Sequence, residues 1–140
     1  MANNANLGID LLLEDGDLVI APTGDLAVTP NGTTCLLQDV ANLLDSLPGD
    51  LYGHAEYGAG VFRLVGEEDR PDFTSLVIRS ISDALLYDDA VGPRIEPESV
   101  QVELLPSVQL RSSSFRITFM PLGEEWTTPL NLVWRIPEAA

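Results

Sequence analysis

The chain holds one histidine, His54, one cysteine, Cys35, and 22 acidic residues, so the chemistry open to it is narrow. Ser-His-Asp catalysis needs an imidazole to take the nucleophile's proton. His54 is the sole candidate; it stands in a glycine-rich stretch, where a histidine ordinarily packs or hydrogen-bonds, and no Gly-x-Ser-x-Gly elbow accompanies it. Asp15-Gly16-Asp17 lacks the later oxygen ligands of a calcium loop. A phosphate-cradling glycine loop would need its lysine, and the chain has none. A lone cysteine permits neither an intrachain disulfide nor a cysteine zinc cluster; Cys35, beside Thr34 and Leu36, reads as a buried thiol.

Paired carboxylates are the remaining route to catalysis, because a glycosidase requires two acids at the right separation. One of them must sit in an apolar cleft with a raised pKa, beside aromatics that stack on sugar. Glu124-Glu125-Trp126 is the only local hint of that arrangement, and its place between prolines suits an exposed turn. No catalytic residue, metal or cofactor is therefore expected, and the chain reads as a non-enzyme with no small-molecule substrate.

The charge balance excludes further classes. With a net charge of −15 and all seven bases arginine, the chain cannot build the basic patch that replaces phosphate counterions, nor a polybasic membrane anchor. Nucleic acid and membrane are thus not expected partners. The acidity suits solubility, or a negative surface facing a basic partner. Residues 1–10 carry no basic residue and no apolar core, so they do not read as a secretory leader. The expected place of synthesis is the cytoplasm.

The elements that would position any site follow from periodicity. Residues 1–7 are polar and expected to be a flexible N-terminus, with a single domain over 8–140. Apolar runs at 10–13 and 18–21 flank Asp15-Gly16, a two-residue hairpin turn. Gly24-Asp25-Leu26-Ala27-Val28 echoes Gly16-Asp17-Leu18-Val19-Ile20, which suits a short meander. Leu36, Leu37, Val40, Leu44 and Leu47 form one stripe of a helix over 33–47, capped by Asn31 or Thr33 and stopped by Pro48-Gly49.

Residues 50–60 read as an ordered loop, and 61–65 as an apolar run too short to assign. Glu67-Glu68-Asp69 before Arg70-Pro71 places acid at the positive end of a second helix, 71–87. Phe73, Val77, Ile81, Ala84 and Leu85 supply its buried stripe. After Gly92-Pro93 the period changes to two. Val100, Val102 and Leu104, then Phe115, Ile117 and Phe119, then Leu130, Leu132, Trp134 and Ile136 predict three half-buried antiparallel strands. The fold class is α+β: two main helices packed on a mostly antiparallel sheet, an N-terminal hairpin and a C-terminal three-strand meander.

The order of these features resembles the lysozyme-like baseplate wedge family of contractile phage tails, relatives of a type VI secretion baseplate subunit. The residues that carry it are the Gly-Asp-Leu hairpin, the helix with Leu36, Leu37, Val40 and Leu44, the segment ending Glu56-Tyr57-Gly58, and Pro93-Arg94-Ile95 before the strand with Val100 and Val102. The resemblance spans about residues 8–120. It implies a structural protein in the virion tail baseplate, similar in fold to the interlocking domain of sheath subunits. Such a protein binds the inner wedge bundle and nucleates the first sheath ring by strand sharing. Its partners would be baseplate wedge proteins and the tail sheath protein, in six copies or a multiple.

The family's Glu-Pro-Arg motif reads Gly92-Pro93-Arg94 here, so Pro93 and Arg94 carry over while the glutamate does not. Glu96 or Glu98 could replace its charge. The expected partner-binding segment is Pro93, Arg94, Ile95 and Glu96; the alternative for Arg94 is an internal salt bridge to Asp88 or Asp89. A shared sheet edge is expected within Phe115 to Met120 or Leu130 to Ile136. The competing functional readings are a tail-associated peptidoglycan hydrolase using paired carboxylates such as Glu125, and a small acidic chaperone or adaptor.

Overall fold

The computed structural model describes residues 7–64, 70–106, 113–123 and 128–136. The hairpin β1 (Leu13–Glu14) and β2 (Asp17–Leu18) turns through Asp15 and Gly16, both at positive φ (52° and 85°). That is the left-handed pair a two-residue turn needs to match strand twist. The ladder is shorter than the apolar runs around it because the echo segment separates the arms. Ala27 donates its N–H to Val19 O at 2.7 Å, and its own carbonyl accepts from Leu12 N at 2.9 Å. Bridges Ile20–Leu26 and Leu11–Val28 complete the meander.

Helix α1 (Gly32–Asp45) starts where Asn31 Oδ1 accepts the N–H of Thr34 at 2.8 Å, which satisfies one orphan donor of the first turn. It buries Leu36, Val40, Leu43 and Leu44. Leu43 extends the predicted stripe, whereas Leu47 lies beyond the helix end. Helix α2 (Phe73–Tyr87) begins two residues later than expected and buries Phe73, Val77, Ile81 and Leu85, with Ala84 half-buried beside them. The run at 61–64 is a short 3-10 helix, Val61–Leu64, with Val61 in the core. The acidic run at 67–69 lies outside the described residues.

Strands β3 (Gln101–Leu105), β4 (Ser113–Phe119) and β5 (Leu130–Ile136) form one antiparallel sheet in the order β3-β4-β5. Phe115, Ile117 and Phe119 on β4 are completely buried and face the helices. The alternate residues carry polar pairs, Arg116 with Glu103 at 2.8 Å and Thr118 with Asn131 at 2.9 Å. Of the two segments expected to hold an edge, 130–136 is an outer strand, whereas 115–120 belongs to the central strand and is paired on both sides. Leu104 is 46 % exposed, because β3 is an outer strand with a neighbour on one side only.

The core therefore sits between the two helices and the inner face of β4, tied at one corner by Trp134 Nε1 donating to Asp45 Oδ1 at 2.8 Å. Leu7, at the end of the segment expected to be flexible, is 1 % exposed and joins this core. No helix among the described residues is long and apolar enough to cross a membrane. Truncating Phe115→Ala in β4 removes a fully buried ring from the core and leaves a cavity there. Its expected cost is about 3–5 kcal/mol, read as a lowered midpoint in urea unfolding.

Candidate docking site

The segment expected to bind partners begins where α2 ends. Asp88 Oδ2 accepts the N–H groups of Ala90 (3.0 Å) and Val91 (2.9 Å), closing a tight turn into Gly92-Pro93-Arg94, one turn of 3-10 helix. Gly92 packs directly on the last turn of α2: a Cβ there would lie 2.7 Å from Leu86 O. Position 92 thus has no room for a side chain, glutamate included, in this backbone. After that turn, Ile95 bridges Pro121, Glu96 N donates to Met120 O at 2.8 Å and Leu122 N to Arg94 O at 2.9 Å. Residues 94–96 thereby continue the β3–β4 pairing past an interruption at 97–99, where Ser99 Oγ holds Met120 N at 2.8 Å.

Within this segment Pro93 and Glu96 are exposed, Ile95 is buried, and Arg94 is half-buried. Arg94 spreads its planar fork over three separate parts of the chain, each at 2.8 Å: Nε donates to Ala90 O, Nη1 to Leu7 O and Nη2 to Asp39 Oδ2. The ion pair is shielded, with side-chain exposures of 18 % and 25 %. The internal partner is Asp39 on α1, not Asp88 or Asp89. Asp88 is engaged in the turn instead, and Asp39 reaches Arg94 only because α1 packs across the exit of α2. Arg94 thus holds the Pro93–Glu96 turn against α1 and the N-terminal segment.

Asp39 also faces Cys35, one turn earlier on α1, with its Oδ2 3.8 Å from Sγ. Burial pushes the Cys35 thiol above its ordinary value of 9.0, and the Asp39 carboxylate adds to this while Arg94 opposes it. Burial likewise raises the Tyr57 phenol above its ordinary 10.0, with Asp88 and Asp39 adding to it.

The remaining candidates fall elsewhere. His54 is exposed in the 50–60 loop, where its backbone turns the chain by bonding Leu51 O and Tyr57 N, both at 3.1 Å. Gly58 (φ +129°) passes so close to the end of α1 that a Cβ would lie 2.6 Å from Ser46 O. That approach lets Ala59 N reach Leu43 O at 3.1 Å, satisfying a carbonyl of the last turn. Glu124-Glu125-Trp126 lies outside the described residues. Asp15 and Asp17 are exposed in the hairpin, and among the described residues no three His, Cys, Asp or Glu side chains gather as a metal site.

Sequence reasoning missed Gln38. Its amide acts as an extra strand peptide: Oε1 accepts from Leu13 N at 2.9 Å and Nε2 donates to Leu11 O at 2.8 Å, pinning the hairpin to α1. A polar residue on a helix gives no local sign of such a role. Asp39 had a faint one, since it borders the buried stripe beside Val40.

No protein-family model matches the chain, and no curated protein matches it by sequence. The α+β fold has counterparts among solved structures. Among solved structures the chain is similar to the "putative tail lysozyme" of Geobacter sulfurreducens, with a TM-score of 0.67 and 17% identity over 81% of this chain and 97% of that one. It is also similar to a chain of the anti-feeding prophage baseplate, with a TM-score of 0.62 and 16% identity over 94% of this chain and 86% of that one.

Three outcomes follow from the geometry. Arg94→Ala strips Asp39 of its partner and two carbonyls of their donors, and is expected to cost about 2–4 kcal/mol of stability, read by urea unfolding. Both raised pKa values favour the uncharged side chain in the folded state, so their contribution is complete below pH 9 and is lost as pH rises beyond it. Unfolding free energy should hold level from pH 7 to about 9 and then fall, with a shallower fall in Cys35→Ala. Ellman's reagent at pH 8 should label Cys35 slowly until urea is added.

Proposed function

We propose that this chain is a structural subunit of the baseplate of a contractile, phage-tail-like injection machine. The observation that carries the reading is the likeness to the anti-feeding prophage baseplate chain, which runs through 94% of this chain and 86% of that one. In this reading the subunit joins the inner wedge bundle to the tail sheath and starts the first sheath ring by strand sharing. It is assembled in the host cytoplasm, in six copies or a multiple, and its partners are wedge and sheath proteins. The outer strands β3 and β5, on either side of β4, are the positions at which an added strand would pair through main-chain hydrogen bonds. The Pro93–Glu96 turn offers a second contact, with Pro93 and Glu96 facing solvent and Arg94 fixing the turn from behind.

A hydrolase is the reading favoured by the name given to the Geobacter protein. The acids named for it, Glu124-Glu125, lie outside the described residues, and the one histidine is exposed in a loop. Two assays separate the readings. Tails assembled in cells that lack this gene, with and without a tagged copy, should form sheath only when the copy is present, and cross-linking should join it to wedge and sheath subunits. The same purified protein should leave cell-wall suspensions turbid across about pH 4–8. Sheath assembly without the copy removes the structural role. Clearing of the suspension that Glu125→Gln abolishes replaces it with hydrolysis.

A further inference from the structure

A groove of about 810 Å³ runs between residues 53–59 and the C-terminal half of α2 with its exit turn. Leu43, Ala59 and Ala84 contribute apolar surface to it, and Tyr57 and Tyr87 bring rings, the latter 78 % exposed. Four carboxylates line it, Glu56, Asp83, Asp88 and Asp89, and no arginine stands among its described lining residues. The fold uses only part of this charge. Asp88 caps the turn through Oδ2, and Asp83 meets Arg79 at 3.7 Å on the open surface, where such a pair is worth little. Neither Glu56 nor Asp89 makes a hydrogen bond or ion pair among the described residues. The negative field extends inward, since Asp88 and Asp39 both help hold Tyr57 in its neutral form.

We propose that this groove receives a basic segment of a partner protein, with an arginine side chain as its principal anchor. A guanidinium suits both features of the lining: it stacks on tyrosine faces and bonds carboxylates through its fork. Its aliphatic stem would cover the apolar surface while the charge stays among the acids. Nucleic acid and anionic lipid are repelled by the same charges. The inference rests on the baseplate reading only for where such a partner would come from.

The test uses a blocked pentapeptide in which glycines alternate with two arginines, and its twin with citrulline, a neutral isostere, in place of arginine. Both are titrated into the isotopically labelled chain and followed by amide chemical shifts. The arginine peptide should perturb residues 53–59 and 83–90, and the citrulline peptide should not. The double substitution Glu56→Gln with Asp89→Asn should weaken binding about fivefold or more. Asp15→Asn with Asp17→Asn, which removes the same charge from the hairpin, should leave it unchanged. Shifts spread over the surface, equal weakening by both double variants, or equal binding of the citrulline peptide would overturn the proposal. Those outcomes leave sheath assembly untouched as the separate test of the baseplate role.

Discussion

Arg94 ties together parts of the chain that share no sequence neighbourhood: the carbonyl of Leu7, the carboxylate of Asp39 and the carbonyl of Ala90. A half-buried cation is tolerated only where acceptors surround it, so these three groups must converge for the corner to close. Their convergence fixes how α1 crosses the exit of α2. It also sets the path of residues 94–96, which then pair with 120–122 and carry the sheet register forward. Burial is the main cause of the raised Cys35 pKa; at this corner the Asp39 carboxylate adds to the rise and Arg94 opposes it.

The seven bases are few against 22 acids, and among the described residues Arg70 pairs with Asp72, Arg79 with Asp83, Arg94 with Asp39 and Arg116 with Glu103. The acids left over determine the outer field, which is negative. Such a field repels like-charged surfaces and favours basic ones. The same fold is reached by a baseplate chain at 16% identity.

Much of the frame was legible because it is encoded locally. The stripes of α1 and α2, the β4 alternation and the Asp15-Gly16 turn each depend on residues within one or two turns or strand steps of each other. The candidate site was legible only as a segment. Pro93 and Glu96 face solvent, while Arg94 holds their turn from the inside. Leu104 shows the limit of periodicity: its pattern matches a buried face, but an outer strand leaves it exposed.

By itself the sequence determined where helices and strands form, that Asn31 or Thr33 caps α1 and which reactive side chains the chain contains. Each of these follows from short-range sterics, capping and residue inventory. The tertiary structure alone decided that Arg94 selects Asp39 among 22 acids, that Gln38 clamps the hairpin and that β4 is central. It alone also brought the 53–59 loop to the end of α2 to form the groove. Those choices depend on the directions in which packed elements carry their side chains. Many sequence positions offer equivalent charges and edges, and only packing makes one of them near.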